Sequence, residues 1–162
     1  MIKPGVSKHI IVARVDNNPG VVSRISGLFT RRGYNIESFV TCITKRREVY
    51  HLTISVISTK DELDLLVRQL GRIMEVITIF TADDVECVSS ELMLLKTAAK
   101  PEERADIIRL ADAMDARIAS VRENCVILEV SGGEQKLEGV IKAFEPFGIL
   151  DMIRSGTIAM NL

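Results

Sequence analysis

The chain predicts an α+β protein made of two βαββαβ units in tandem. Three observations carry this expectation. Apolar runs with strand periodicity and amphipathic helical stretches follow one another as strand, helix, strand, strand, helix, strand. That order recurs after about 80 residues. The total length of 162 residues fits two such units with a short connection. Each unit is expected to form a four-stranded antiparallel sheet with both helices on one face.

The first unit opens with an aliphatic strand, His9 to Val15. A helix follows from Pro19 to Arg32, with Val21, Val22, Ile25, Leu28 and Phe29 on its apolar face. Asn17 and Asn18 suit the cap of that helix, and Pro19 suits its first position, where a missing N–H costs nothing. Gly20 permits close approach to the backbone. Arg31 and Arg32 fill the last turn, and Gly33 stops it. The expected result is an open helix N terminus at a strand end, a place suited to a carboxylate. The second strand runs from Asn35 to about Thr44, and Lys45-Arg46-Arg47-Glu48 makes a charged hairpin tip. The third strand spans Val49 to Ile57, where Leu52, Ile54 and Val56 alternate with Thr53 and Ser55. Asp61 to Arg72 reads as a helix with Leu63, Leu66, Val67 and Leu70 inward, and Glu75 to Phe80 closes the unit.

Thr81 to Ser90 is polar and acidic and reads as a linker. The expected organisation is therefore 1–80, a linker at 81–90, and a second unit at 91–162. In that second unit Leu92 to Ala98 is a strand, and Pro101 opens a helix with Ile107, Ile108, Ala111 and Met114 on one face. Arg117 to Arg122 and Cys125 to Val130 form a hairpin around Glu123-Asn124. Gln135 to Phe144 is a helix, Ile149 to Ile153 the closing strand, and Gly156 to Met160 follows it. Units of this size are marginally stable alone and gain from a partner. The uncovered face of each sheet is the expected place for one, and a homodimer at least is expected through sheet edges or helix faces.

Composition narrows the function. The chain is 47% hydrophobic but only 4% aromatic with no Trp, so aliphatic side chains must fill the core. A net charge of −1 gives no basic field for nucleic acid, and the strands lack the aromatic platforms that RNA-binding sheets use. No apolar run reaches membrane-spanning length, and the N-terminal stretch lacks a leader-like hydrophobic region, so no membrane association is expected. Cys42, Cys87 and Cys125 are scattered, without a C-x-x-C pair, which fits reduced thiols and a cytoplasmic protein, or an organellar one after processing.

Catalytic patterns are missing. His9 and His51 are the two histidines, and no Ser-His-acid set can be assembled from the sequence. There is no G-x-x-x-x-G-K-[ST], no G-x-G-x-x-G and no H-E-x-x-H. Gly132-Gly133 reads as a turn, and Asp83, Asp84 and Glu86 lack calcium-loop spacing and read as a solvated linker. No catalytic residue and no metal site is expected. Arg24 and Asn35 would be needed by an acyl-phosphate hydrolase on this fold, but its glycine-rich cradle is absent.

The run Asn17-Asn18-Pro19-Gly20-Val21, with Ser23-Arg24, Gly27-Leu28-Phe29 and Arg32-Gly33-Tyr34-Asn35-Ile36-Glu37-Ser38, resembles the ACT domain, a ferredoxin-like βαββαβ module that binds amino acids. It is most similar to the ACT domain of the regulatory small subunit of acetohydroxyacid synthase (acetolactate synthase). The length, the second unit and Arg154-Ser155-Gly156 also fit that family. The resemblance implies a non-catalytic subunit that binds the large catalytic subunit, activates it, and makes it subject to feedback inhibition by valine or another branched-chain amino acid. Thiamine diphosphate, a divalent metal (Mg) and FAD are implied on the large subunit, with no cofactor on this chain. The implied effector site lies between two ACT domains of a dimer. Gly20 and Val21 would offer backbone N–H groups to the effector carboxylate. Asn17 would accept from its ammonium or fix the loop. Asn35 and Ile36 would come from the neighbouring copy, Asn35 as hydrogen-bond partner and Ile36 beside the side chain. The second unit opens instead with Ala98-Ala99-Lys100-Pro101-Glu102-Glu103, where Glu102 and Glu103 would repel a carboxylate, so no second effector site is expected there. Its implied roles are dimer support and large-subunit contact. The hairpin Thr44 to Glu48 is more basic, and Thr41 more polar, than the family's pattern. The alternative is a free-standing ACT-type sensor controlling transcription or another enzyme.

Overall fold

The computed structural model describes residues 5–162. Residues 1–4, part of the N-terminal stretch read above for a leader, lie outside them. The chain divides into two units: one holds the chain up to Val88 together with Gly156–Leu162, the other Ser89–Ser155.

The first unit contains β1 (Ser7–Asp16), α1 (Val21–Arg32), β2 (Ile36–Ile43), β3 (Val49–Ser58), α2 (Lys60–Leu70), β4 (Val76–Thr81) and the final strand β9 (Ile158–Asn161). Its antiparallel sheet has the order β2-β3-β1-β4. β1 pairs with β3 over its whole length, from Ser7 opposite Ser58 to Asp16 opposite Val49. Strand alternation then sends Ile11, Ala13 and Val15 to the same face as Leu52, Ile54 and Val56. Val21, Ile25 and Phe29 of α1 and Leu63, Leu66 and Leu70 of α2 close on that face and complete the aliphatic core. Val22, placed on the apolar face of α1 by sequence, is 38% exposed.

Helix starts differ from expectation. α1 begins at Val21, its N-cap is Gly20, and no side chain caps it. Asn17 and Asn18 do not cap and Pro19 precedes the helix, because Gly20 takes a left-handed φ of 84° that interrupts the helical run. α2 begins with a complete capping box: Thr59 accepts from the Glu62 N–H while the Glu62 carboxylate accepts from the Thr59 N–H.

The linker expected at 81–90 is shorter than predicted, since β5 already begins at Cys87. Its acidic residues hold the turn: the Thr81 hydroxyl donates to Asp84 at 2.6 Å, and Lys60 approaches the same carboxylate at 3.2 Å. Those two contacts, Thr81 first, hold the Asp84 carboxyl below its ordinary pKa.

The second unit contains β5 (Cys87–Ala98), whose first two residues belong to the first unit, then α3 (Arg104–Ala113), β6 (Arg117–Val121), β7 (Cys125–Gly132), α4 (Glu134–Phe144), a 3-10 turn (Glu145–Phe147) and β8 (Ile149–Arg154). The strand order is β6-β7-β5-β8, matching that of the first sheet position by position. Met93, Leu95, Val126, Leu128 and Val130 pack against Ile107, Ala111, Leu137, Val140 and Phe144. α3 starts at Arg104, later than the Pro101 expected, and residues 101–103 form a turn.

The segment after Gly156, read from sequence as the tail of the second unit, groups with the first, although its strand β9 pairs with β5. Ala159 sits on β3: its carbonyl accepts from His51 Nε2 at 2.7 Å and its N–H donates to Thr53 Oγ1 at 3.3 Å. His51 and Thr53 point away from the helices, so the face expected to await a partner carries the chain's own C-terminal segment.

Replacing Thr59 with Ala should cost about 1 kcal/mol in chemical denaturation, because one N-terminal N–H of α2 loses its acceptor.

Candidate functional site

The site predicted at the end of β1 is built by backbone bonds. Asp16 N–H donates to the Glu75 carbonyl at 2.9 Å and Asn17 N–H to the Glu48 carbonyl at 2.8 Å. Asn18 N–H turns back to the Asp16 carbonyl at 2.9 Å. Val21 N–H makes a long 3.3 Å bond to the Asn18 carbonyl, and Arg24 N–H reaches Gly20 at 2.9 Å. The first-turn N–H groups of Val22 and Ser23 have no intrahelical partner, and no side chain caps them. The positive end of α1 thus faces outward beside Gly20, which is exposed.

Asn17 fixes the loop: its Nδ2 donates to the Arg47 carbonyl at 3.0 Å. This ties the basic tip, Lys45-Arg46-Arg47, to the Gly20 turn. The position of that charged hairpin tip adds positive potential beside a helix N terminus. Arg24, one turn into α1, pairs with Glu75, whose contribution to this turn carried no sequence signal.

Val21 has a buried side chain and offers only its backbone. Asn35 and Ile36 lie beyond the far end of α1. Asn35 is exposed just before β2, and Ile36 is half-buried against the core, opposite Val56. Twelve helical residues separate the Gly20 turn from Asn35, about 18 Å of axis. One chain therefore does not bring the two groups of predicted residues together. β2, which carries Ile36, is an edge of its sheet and has one row of backbone groups unpaired within the sheet.

The second unit has no counterpart of this turn. Glu103 is the N-cap of α3 and also has no capping bond, while its carboxylate lies 3.5 Å from Lys100. An open cleft of about 300 Å³ in this unit is lined by Asp112, Asp115, Arg117, Glu129 and Ser131. Two of its three acidic groups are engaged: Lys136 lowers the pKa of Asp115, and Arg117 lowers that of Glu129.

A Ser-His-Asp set does come together in the first unit, although sequence could not assemble it. His9 Nδ1 lies 2.6 Å from Asp83, and Nε2 lies 3.0 Å from Ser7 Oγ. Nε2 also faces the Ser58 carbonyl at 3.2 Å. The Asp83 carboxylate beside Nδ1 accepts a hydrogen bond from it, while Nε2 faces both the Ser7 hydroxyl and a carbonyl that only accepts. The set clasps the ends of β1 and β3 to the turn after β4. Among the described residues no group of His, Cys, Asp and Glu could hold a metal ion, and no helix is long and apolar enough to cross a membrane.

Comparison with known proteins adds independent findings. Residues 11–78 match the family described as the AHAS small subunit-like ACT domain, and residues 90–162 match that of the small subunit of acetolactate synthase. A probable acetolactate synthase small subunit from Archaeoglobus fulgidus is 36% identical over 94% of this chain and 96% of its own length. The acetolactate synthase small subunit of Mycolicibacterium smegmatis is 31% identical over 97% of this chain and 92% of its own. The crystal structure of the acetolactate synthase small subunit from Thermotoga maritima superimposes with a TM-score of 0.81 at 25% identity, covering 96% of this chain and 98% of that one.

No atom lies within 4 Å of where a Cβ on Gly20 would stand, so only its φ of 84° resists substitution. Gly20→Ala should therefore lower stability by about 1–2 kcal/mol while the fold, read by circular dichroism, is kept.

Proposed function

The chain belongs to the acetolactate synthase small-subunit family, whose members are regulatory and non-catalytic, and from that premise we propose that it makes its large subunit responsive to valine or another branched-chain amino acid. Its partner is the large catalytic subunit, which carries the thiamine diphosphate, magnesium and FAD of the reaction. This chain supplies activation and feedback.

The observation that carries the reading is the uncapped start of α1 at Gly20, with the basic hairpin tied beside it through Asn17. An amino-acid carboxylate suits that place on two grounds, unpaired N–H groups and positive potential. The N–H groups of Gly20 and Val21 hold the carboxylate, with the long Val21 bond to Asn18 yielding to the charged acceptor. Asn17 has its Nδ2 committed to Arg47, which leaves its oxygen for the ammonium. Asn35 and Ile36 of a second copy complete the site, since their separation from Gly20 within one chain prevents them from serving the same ligand alone. Two copies meeting at β2 edges would satisfy the unpaired ladder groups and make the homodimer. In this arrangement the first unit binds effector, and the second unit supports the dimer and contacts the large subunit. We place the protein in the cytoplasm, where its three free cysteines stay reduced.

The test is acetolactate formation by the large subunit of the same organism, with and without this chain, across a valine titration. Stimulation that valine reverses is the expected result. Asn35→Ala should keep the stimulation while raising the valine concentration for half-inhibition about tenfold or more, a loss within the usual range of allosteric coupling. Full valine sensitivity in that variant would remove the site. Absence of any stimulation by the wild-type chain would favour a free-standing sensor.

A further inference from the structure

We propose that residues 156–162 act as a strap that carries the state of the effector half-site on β2 to the second unit, with Gly156 as its positioning residue. This rests on the effector reading above.

The chain crosses between units twice, after Val88 and after Ser155. The return crossing is anchored firmly on its second-unit side. Arg154 binds Glu91 through two bonds of 3.0 and 2.8 Å and Glu138 through a third of 3.0 Å. Ser155 N–H donates to the Leu92 carbonyl at 2.9 Å, and Leu92 N–H donates to the Ser155 hydroxyl at 3.0 Å. Any displacement of the residues that follow therefore pulls on a fixed point of β8 and β5.

On the first-unit side the strap lies on the sheet face opposite the helices. Ser38 opposes Ser55, Val40 opposes Thr53 and Cys42 opposes His51 across β2 and β3. Gly156 sits on the β2 side of this layer: a Cβ there would lie 2.8 Å from Val40 Cγ2 and 2.9 Å from Ser38 Cβ. Its φ of 84° is also one that side chains resist. Thr157 and Ala159 are buried while Ile158 and Met160 are exposed, the alternation of a strand with one face down. His51 and Thr53 clasp Ala159, and Leu162 N–H ends the strap on the Glu86 carbonyl at 3.2 Å.

This places the effector half-site and the strap on one strand. Asn35 and Ile36 precede Ser38 with Glu37 between, and the register shift of β2 falls between Ile36 and Ser38. A bulge is a point where a strand can bend. A shift of Asn35 and Ile36 toward a ligand moves Ser38, which lies beside Gly156 at a point of the strap where a Cβ would not fit. The layer is also incompletely satisfied, since the hydroxyls of Ser38 and Ser55 are buried without partners. Lifting the strap would hydrate both, which brings the closed and lifted states closer in free energy. An element of that kind responds to a small bias from a ligand.

The experiment compares wild type with Gly156→Ala in three measurements: L-valine binding to the small subunit by calorimetry, stimulation of the large subunit, and valine inhibition of the holoenzyme. Hydrogen exchange over 156–162 reports the strap itself. The expected variant binds valine with little change and still stimulates, exchanges faster over the strap, and needs about tenfold more valine for half-inhibition. In wild type, valine should alter exchange at 156–162. Unchanged inhibition in a variant whose strap exchanges freely overturns the proposal. Should Gly156→Ala not fold, Thr53→Val removes the acceptor of the Ala159 N–H at nearly constant shape and carries the same expectations. A wild-type chain that binds no valine overturns the effector reading first, and this one with it, before any variant is compared.

Discussion

The ladder between β1 and β3 is the constraint on which the first unit depends. Ten consecutive residue pairs fix its register, and a slip of one residue would turn every side chain to the opposite face. With the register as it is, Ile11, Ala13, Val15, Leu52, Ile54 and Val56 meet the two helices. The same parity sends His51, Thr53 and Ser55 to the other face, where the C-terminal strand is held. It also ends β1 at Asp16, so that the turn at Gly20 emerges at the edge of the core and the first turn of α1 opens to solvent beside the hairpin tip. Core, Gly20 turn and the seat of the C-terminal strand follow from one pairing.

The proposed amino-acid site rests on a helix that separates its two halves. α1 holds Gly20 at one end and releases the chain toward Asn35 at the other, and Phe29 and Ile25 lock it against the sheet between them. A rigid spacer of this kind means that one chain offers a carboxylate site and, elsewhere, a polar edge. A second copy related by a twofold axis can supply the missing half to each. In the proposed reading, a ligand bridging two chains would bias how they pack, and the large subunit would read that packing.

Much of this was legible in the sequence, for reasons that particular residues make plain. The alternation of Leu52, Ile54 and Val56 with Thr53 and Ser55, and the spacing of Leu63, Leu66 and Leu70, are periodic signals that survive without tertiary context. The Gly20 turn was legible because glycine marks backbone conformations other residues avoid. Helix starts were less so: two asparagines looked like caps, yet the left-handed Gly20 took the N-cap and turned Asn17 toward the hairpin. Thr59 and Glu62, three residues apart before an apolar run, carry the capping-box signal that the structure realises. The strap had no local signature at all, since His51 meets Ala159 across 108 residues and nothing in Gly156 to Met160 distinguishes a strand of the second unit from one lent to the first. The proximity of Ser7, His9 and Asp83 was hidden in the same way, by sequence distance.

The measurement that tests this account most directly is the self-association constant of the small subunit by sedimentation, with and without L-valine. A site shared between two copies requires that valine tighten the dimer, because ligand bound only to the assembled form must draw the equilibrium toward it. Tighter association in valine, lost in Asn35→Ala, is the result the account predicts. Valine bound by the monomer with an unchanged association constant would contradict it.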